Sequence, residues 1–332
     1  MAYFTHSSCF AVVSSSFILV VSSSFVPTYS VFAAAEADTT RITAAANVTL
    51  RAMPVADATA VAQLPLGTEL VDAGPAGLDK TWVRVRLPDQ REGWLVASMT
   101  RPLDPVWRWP TFDRIIADRL GRKGDSFPAA IELVSFIERV APEYTDPDGR
   151  GRIELARLRA LAAAAGAIPR NGQRREPYAS WLTSRKNDVI YDEPGGRWLV
   201  SGSAIWDVHL RQAATTSADD IAWFAVTTGM PSDCEGHVTC YLDAHNRLHG
   251  EYLRRQPLGK RAADAVGTIR TTAEMLAAPA RTAGAAYRLD KKRDCGDLNS
   301  SVDTLSAAVK GTRVGDRDAA MASLAALRQY CR

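Results

Sequence analysis

The segment Ser232-Asp233-Cys234-Glu235-Gly236-His237-Val238 is the sharpest candidate for chemistry in this chain. A helix N-terminus just after the cysteine would lower its thiol pKa, as a thiolate nucleophile requires. A base is harder to place. Four of the five histidines, His209, His237, His245 and His249, fall within one stretch, and none follows His249. His245 and His249 are one helical turn apart, so both can reach a single ion. Ala244 and Asn246 flank His245, so the glutamate of H-E-x-x-H is missing. His245 also sits on an apolar stripe, where a hydrogen-bonded core histidine is an ordinary occupant. Asp192 and Glu193 are adjacent at a hairpin corner and read as a solvated pair rather than a general acid and base. No phosphate-cradling G-x-x-x-x-G-K-[ST], dinucleotide G-x-G-x-x-G or G-x-S-x-G elbow occurs. The expectation is no catalytic residue, no metal site and no cofactor.

The other cysteines give Cys234 a structural alternative. Excluding Cys9, four remain: Cys234, Cys240, Cys295 and Cys331. An even number in an exported chain points to disulfides. Three pairings are possible, and proximity favours Cys234–Cys240 and Cys295–Cys331. Export is read from charge. The first 35 residues contain no Asp, Glu, Lys or Arg, carry the apolar run 10–21, and end Ala33-Ala34-Ala35. The small-x-small pattern at Ala33 and Ala35 suits a signal-peptidase site, so residues 1–35 are expected to be a signal peptide. The absence of Lys or Arg near the start and the interrupting serine clusters are atypical of one. The alternative for this leader is a membrane anchor, which the lack of about 20 unbroken apolar residues disfavours; no later segment is long and apolar enough to span a bilayer, so no membrane span is expected after cleavage. The expected location is periplasmic or secreted.

The 332 residues are enough for two cores, and 46% apolar with 23% charged residues excludes global disorder. Residues 41–101 have short β-branched runs at 48–51, 60–64, 68–71, 82–87 and 94–96. Turn signals separate them, including Met53-Pro54, Pro65 with Gly67, and Pro88-Asp89. Sixty or so residues with five short strands are expected to close into a small barrel, which removes exposed edges. Residues 102–110, with Pro102 and Pro105, read as an extended linker. Residues 111–332 then take up helical periodicity: Phe112, Ile115, Ile116, Leu120; Ala130, Leu133, Ile137, Val140; Leu155, Leu158, Leu161. A hairpin at about 188–200 interrupts, with Trp198 as the side chain that wedges it onto the helices. Helices resume with Ile221 and Phe224; Val238, Tyr241, Leu242, His245 and Tyr252; Ala262, Val266 and Ile269; Val302, Leu305 and Val309; then Ala320, Leu324 and an inward Cys331. The fold class is thus α+β: a small SH3-like β-barrel followed by a mainly α-helical domain containing one hairpin.

Val48-Thr49-Leu50-Arg51 with Pro54, the run Leu64-Pro65-Leu66-Gly67-Thr68-Glu69-Leu70, and Trp82-Val83-Arg84-Val85 with Gly93-Trp94-Leu95 resemble bacterial SH3 (SH3b) domains over about 60 residues. Glu92 before Gly93 and the long 74–80 turn depart from that pattern. The resemblance implies an exported bacterial protein that binds cell-wall peptide or another extended ligand. Arg51, Trp82 and Trp94 are the candidate ligand-binding residues: an indole offers a large flat surface and Arg51 can pair with a carboxylate. Equally, the tryptophans can be core residues and Arg51 an ordinary surface arginine. Asp233-Cys234-Glu235-Gly236 resembles the D-C-S-G segment of NlpC/P60 cell-wall peptidases. Glu235 replaces that family's serine, and the helical sequence after Cys234 contains no downstream histidine strand. Residues 251–269 resemble one helix–turn–helix unit of tetratricopeptide-like proteins, but no second copy occurs.

The net charge is only +3, and the basic clusters Arg174-Arg175, Arg254-Arg255 and Lys291-Lys292-Arg293 are scattered among acids, so no nucleic-acid partner is expected. The functional expectation is a binding or scaffolding module at the cell envelope whose partner is a peptidoglycan peptide or an envelope protein. The alternatives are a cysteine peptidase at Cys234 and a protein–protein adaptor acting through the helical domain.

Overall fold

Alternation of side chains by twos builds the N-terminal sheet. The computed structural model describes residues 40–74, 80–122, 124–193, 195–229, 234–277 and 287–332; the expected signal peptide lies outside them. The strands are β1 (Thr40–Thr43), β2 (Val48–Arg51), β3 (Ala60–Leu64), β4 (Glu69–Asp72), β5 (Trp82–Arg86), β6 (Glu92–Val96) and β7 (Thr100–Pro102). They form one antiparallel sheet in the order β3-β2-β6-β5-β4-β1-β7. Val48, Leu50, Leu64, Leu70, Val85, Leu87 and Leu95 fill its inner face. Gly93 is required there, because a Cβ would lie 2.7 Å from the Arg51 carbonyl oxygen and from Leu50. Its absence lets β6 approach β2.

The expected barrel does not close: β3 and β7 end the sheet and do not pair with each other. Strand β7 is three residues long and stops at Pro102, which has no N–H to offer a further neighbour. Helices cover the opening instead. Ile42, Leu66 and Leu103 join a buried cluster with Phe112, Phe136 and Ile137. The Leu66–Gly67 corner is the joint. Leu66 N–H donates to Glu132 Oε1 (3.0 Å), and Arg139 Nη2 donates to the carbonyls of Leu66 (2.7 Å) and Gly67 (3.2 Å). Gly67 has φ +78°, and a Cβ there would overlap the Phe136 ring. Thr43, fully buried, holds the corner from behind: its Oγ1 donates to the Pro65 carbonyl at 2.7 Å and accepts from Thr68 N–H at 2.8 Å.

The segment expected as an extended linker is a folded corner. Leu103 is buried, its N–H donating to Thr40 O (2.8 Å), and Asp104 Oδ1 accepts from the N–H groups of Val106 and Trp107 at 2.8 Å each. Arg108 pairs with Glu69 of β4 and, at 2.9 Å, with Glu143. Short-range pairing of the asparagine-like kind at Asp104, not proline stiffness alone, sets the bend.

Helices follow at α1 (Trp109–Leu120), α2 (Phe127–Val140), α3 (Pro147–Gly166) and α4 (Tyr178–Ser184). Helix α3 starts where Asp146 accepts from Gly149 N–H at 2.6 Å and Pro147 takes the first turn. The hairpin is β8 (Val189–Asp192) with β9 (Arg197–Val200), paired from Val189↔Val200 to Asp192↔Arg197; Pro194 of its turn lies outside the described residues. Trp198 is half-buried against the cluster of Phe127, Ile168 and Leu182, as a wedge should be. Glu138 fastens the hairpin's base by accepting from Arg185 (2.7 and 2.6 Å), which also reaches Asp188 (3.6 Å).

Then come α5 (Gly202–Arg211), α6 (Ala218–Thr228), α7 (Val238–His245), α8 (Glu251–Arg255), α9 (Ala262–Ala277), α10 (Lys291–Lys310) and α11 (Arg317–Ala326). A π-helical stretch, Asn246–Gly250, joins α7 to α8. A second core, with Leu242, Tyr252, Val266, Ile269, Leu298, Val302, Leu305 and Leu324, lies among α7 to α11. Helix α6 separates the cores: Ile221 and Ala225 face the first, Ala222 and Val226 the second. Trp206 of α5 touches both. No helix among the described residues is long and apolar enough to cross a membrane.

Candidate functional site

The sheet brings the three predicted ligand residues onto one face. Arg51 is registered opposite Trp94, Trp94 opposite Arg84, and Trp82 stands two residues before Arg84 on β5. Positions two apart on a strand share a face. Val83, Val85 and Leu95 point to the core, so Trp82, Arg84 and Trp94 point away from it. Both tryptophans are half-buried and neither belongs to the core. Arg51 Nη1 donates to the Ala58 carbonyl (2.8 Å), and Arg84 pairs with Glu92 at 2.7 Å, which holds both guanidiniums against the sheet. The result is a row in which Trp94 lies between the anchored Arg51 and Arg84, with Trp82 two residues along β5 from Arg84.

The cysteine segment is built differently from a nucleophile. Cys234 sits at disulfide distance from Cys240, with Cα atoms 5.5 Å apart, and Cys295 from Cys331, 5.8 Å apart. Both pairings are those that proximity favours. The turn holding Cys234 is bound to the strand-like Tyr287-Arg288 segment: Arg288 N–H donates to Gly236 O (2.8 Å), and its side chain to Glu235 O (2.8 Å). Ser232 and Asp233 lie outside the described residues. His237 is exposed at the cap of α7, while His209 is buried on α5, against Trp206 and 3.1 Å from Gln256 Nε2. Among the described residues no histidine makes a hydrogen bond to the Cys234 side chain.

His245 and His249 do meet. Their Nδ1 atoms are 3.1 Å apart, so one ring donates and the other accepts. Burial pushes both below the ordinary imidazole range, and the neighbouring His245 ring adds to the effect on His249, which lies at about 4. Each is therefore neutral at pH 7. No group of three His, Cys, Asp or Glu side chains able to hold a metal occurs among the described residues.

A cleft with a volume of about 460 Å³ was not legible in the sequence. Its walls come from β8 and β9, α5, α6 and the π-helical stretch with α8. The apolar lining is Ile190, Val200, Ile205, Trp206, Ala225 and Leu248. Leu248 lies over the end of α6 because Gly229 has no Cβ to obstruct it. At the rim are Arg247, Glu251 and Arg254. Glu251 accepts from Arg254 (2.9 Å) and from Arg255 (2.6 Å), and Arg255 also lies over the Trp206 ring at 5.0 Å. Burial opposes ionisation of Glu251, yet the two guanidiniums outweigh it and hold the carboxyl below its usual range. Asn246 donates to the Ser301 carbonyl at 3.4 Å, while its side-chain oxygen is buried without a partner. A π stretch has no residue signature, and the wall residues are bland types spread over more than sixty positions. Hence no sequence pattern marks this site.

No family model, curated protein or solved structure matches this chain.

Proposed function

We propose that this chain is an SH3b-like binding or scaffolding protein of the cell envelope, exported to the periplasm or beyond. In this reading it holds an extended ligand such as cell-wall peptide across the outward face of β2, β6 and β5. The observation that carries the reading is the register of Arg51, Trp94 and Arg84 with Trp82 beside them. Indole faces suit the flat backbone of an extended peptide, and guanidiniums suit its carboxylates. The cysteine pairs support an oxidising compartment. Retention of the full chain on purified peptidoglycan tests the reading. The wild type should sediment with it, and W82A and W94A, checked for folding by circular dichroism, should lose most of that retention. Wild-type protein left in the supernatant would end the cell-wall reading.

An adaptor reading finds support not on the helical domain, the expected place, but at the corner that precedes α1. Val106 and Trp107 are 77% and 62% exposed on a corner braced by Asp104 and Arg108, and rigid exposed aromatics suit protein partners. Envelope cross-linking through this corner would favour it. The cysteine-peptidase reading requires a free thiol at Cys234; alkylation of that residue without reductant would revive it.

A further inference from the structure

The cleft between the hairpin and helices α5 to α8 takes no part in the proposed sheet-face binding. Its size lies in the range of small-ligand sites, about 300–1,000 Å³. Its walls are apolar, and Ile190 remains 43% exposed at its mouth. An apolar occupant that removed this surface from water would be held by the hydrophobic effect. The rim then selects among apolar occupants. Arg254 and Arg255 share the single carboxylate of Glu251, so that triad carries a surplus positive charge. Arg247, ion-paired with Asp243, adds a further guanidinium without removing the surplus.

We propose that this cleft binds a single-chain anionic amphiphile, with the alkyl chain along Ile190, Val200, Trp206 and Leu248 and the anionic head at Arg254. The head's charge completes the rim that Glu251 leaves in surplus. A fatty acid and a lysolipid share this chemistry. A cationic amphiphile would meet the rim with like charge.

The test is titration of the full chain with the fluorescent fatty acid cis-parinaric acid, then displacement by dodecanoate, dodecyl phosphate, dodecanol or dodecylammonium. Saturable one-to-one binding is expected, with dodecanoate displacing the probe at least about tenfold better than dodecylammonium, the effect of one charge-assisted contact. Ranking of dodecanoate against dodecyl phosphate separates a free acid from an anionic lysolipid headgroup. Ser203 is exposed at the cleft, so S203W should fill it without disturbing a core and abolish probe binding. T228W, from the opposite wall, does the same if S203W misfolds. R254Q should weaken dodecanoate about tenfold and leave dodecanol unchanged, since Arg255 still satisfies Glu251. Absence of saturable binding, unaltered binding by a folded cleft-filling variant, or equal displacement by dodecanoate and dodecylammonium would overturn the proposal.

Discussion

Replacing Gly67 with alanine should destabilise the whole protein by about 3 kcal/mol. Two contributions add. The first is conformational: φ is +78°, where a Cβ costs about 1 kcal/mol. The second is steric. The new methyl would enter the space of the Phe136 ring, which is fully buried, and of the Arg139 side chain that donates to Leu66 and Gly67. Arg139 can swing away at the loss of about 1 kcal/mol of hydrogen bonding, but Phe136 has nowhere to go, and overpacking of this kind costs about 1–3 kcal/mol. The protein supplies its own control. Gly124 has φ +76° and nothing within 4 Å of where a Cβ would stand, so Gly124→Ala carries the conformational part alone. Urea denaturation of both variants, followed by far-ultraviolet circular dichroism and tryptophan fluorescence, separates the two contributions. Gly124→Ala should lose about 1 kcal/mol and Gly67→Ala about 3, with both probes reporting one transition. Equal losses, or a sheet transition separate from the helical one in the wild type, would refute the joint between the sheet and α2.

Two further outcomes follow from buried polar groups. Tyr252 is fully buried, donates to Asp219 at 2.5 Å and accepts from Arg261 N–H at 3.0 Å, so Tyr252→Phe should cost about 2–3 kcal/mol in the same assay; a loss below about 0.5 would mean that Asp219 and Arg261 find other partners. His249 binds its proton less readily folded than unfolded, so its contribution is intact above pH 6.5 and is lost as pH falls toward about 4. The span amounts to about 3 kcal/mol, and His249→Gln should flatten that part of the stability–pH curve; an unchanged curve would show that His249 does not titrate in this window.

How far the residues foretold this arrangement depended on whether the physics was local. Strands β2 and β3 begin and end where alternation and turn residues place them, and the four cysteines pair with their nearest neighbours. Strand β1 escapes notice because Thr40–Thr43 has Ile42 as its one apolar residue and so shows no alternation, and β7 because Pro102 reads as a breaker. Closure of the barrel was inferred from strand count, but what covers the sheet is decided by Leu66 and Gly67 meeting α2, some 70 residues away in the chain. The face shared by Arg51, Trp82 and Trp94 follows from strand register, which the residues alone do not show. Helix α5 carries no strong caps, and the cleft it borders depends on the π stretch and on Gly229, neither of which a periodicity argument can see.

The Leu66–Gly67 joint also bears on portability. A domain that can be moved between proteins keeps its apolar surface to itself. This sheet instead shares Ile42 and Leu66 with Phe112, Phe136 and Ile137, and anchors Glu69 to Arg108. Cutting the chain at residue 101 would strip those partners away and leave two large side chains and a guanidinium-deprived carboxylate facing water. Such a fragment would adhere to columns, to peptidoglycan and to itself, whatever its natural ligand. The smallest unit on which the proposed binding by the sheet can be tested therefore includes α1 and α2, and point substitutions on the outward face are cleaner instruments than deletion of the strands.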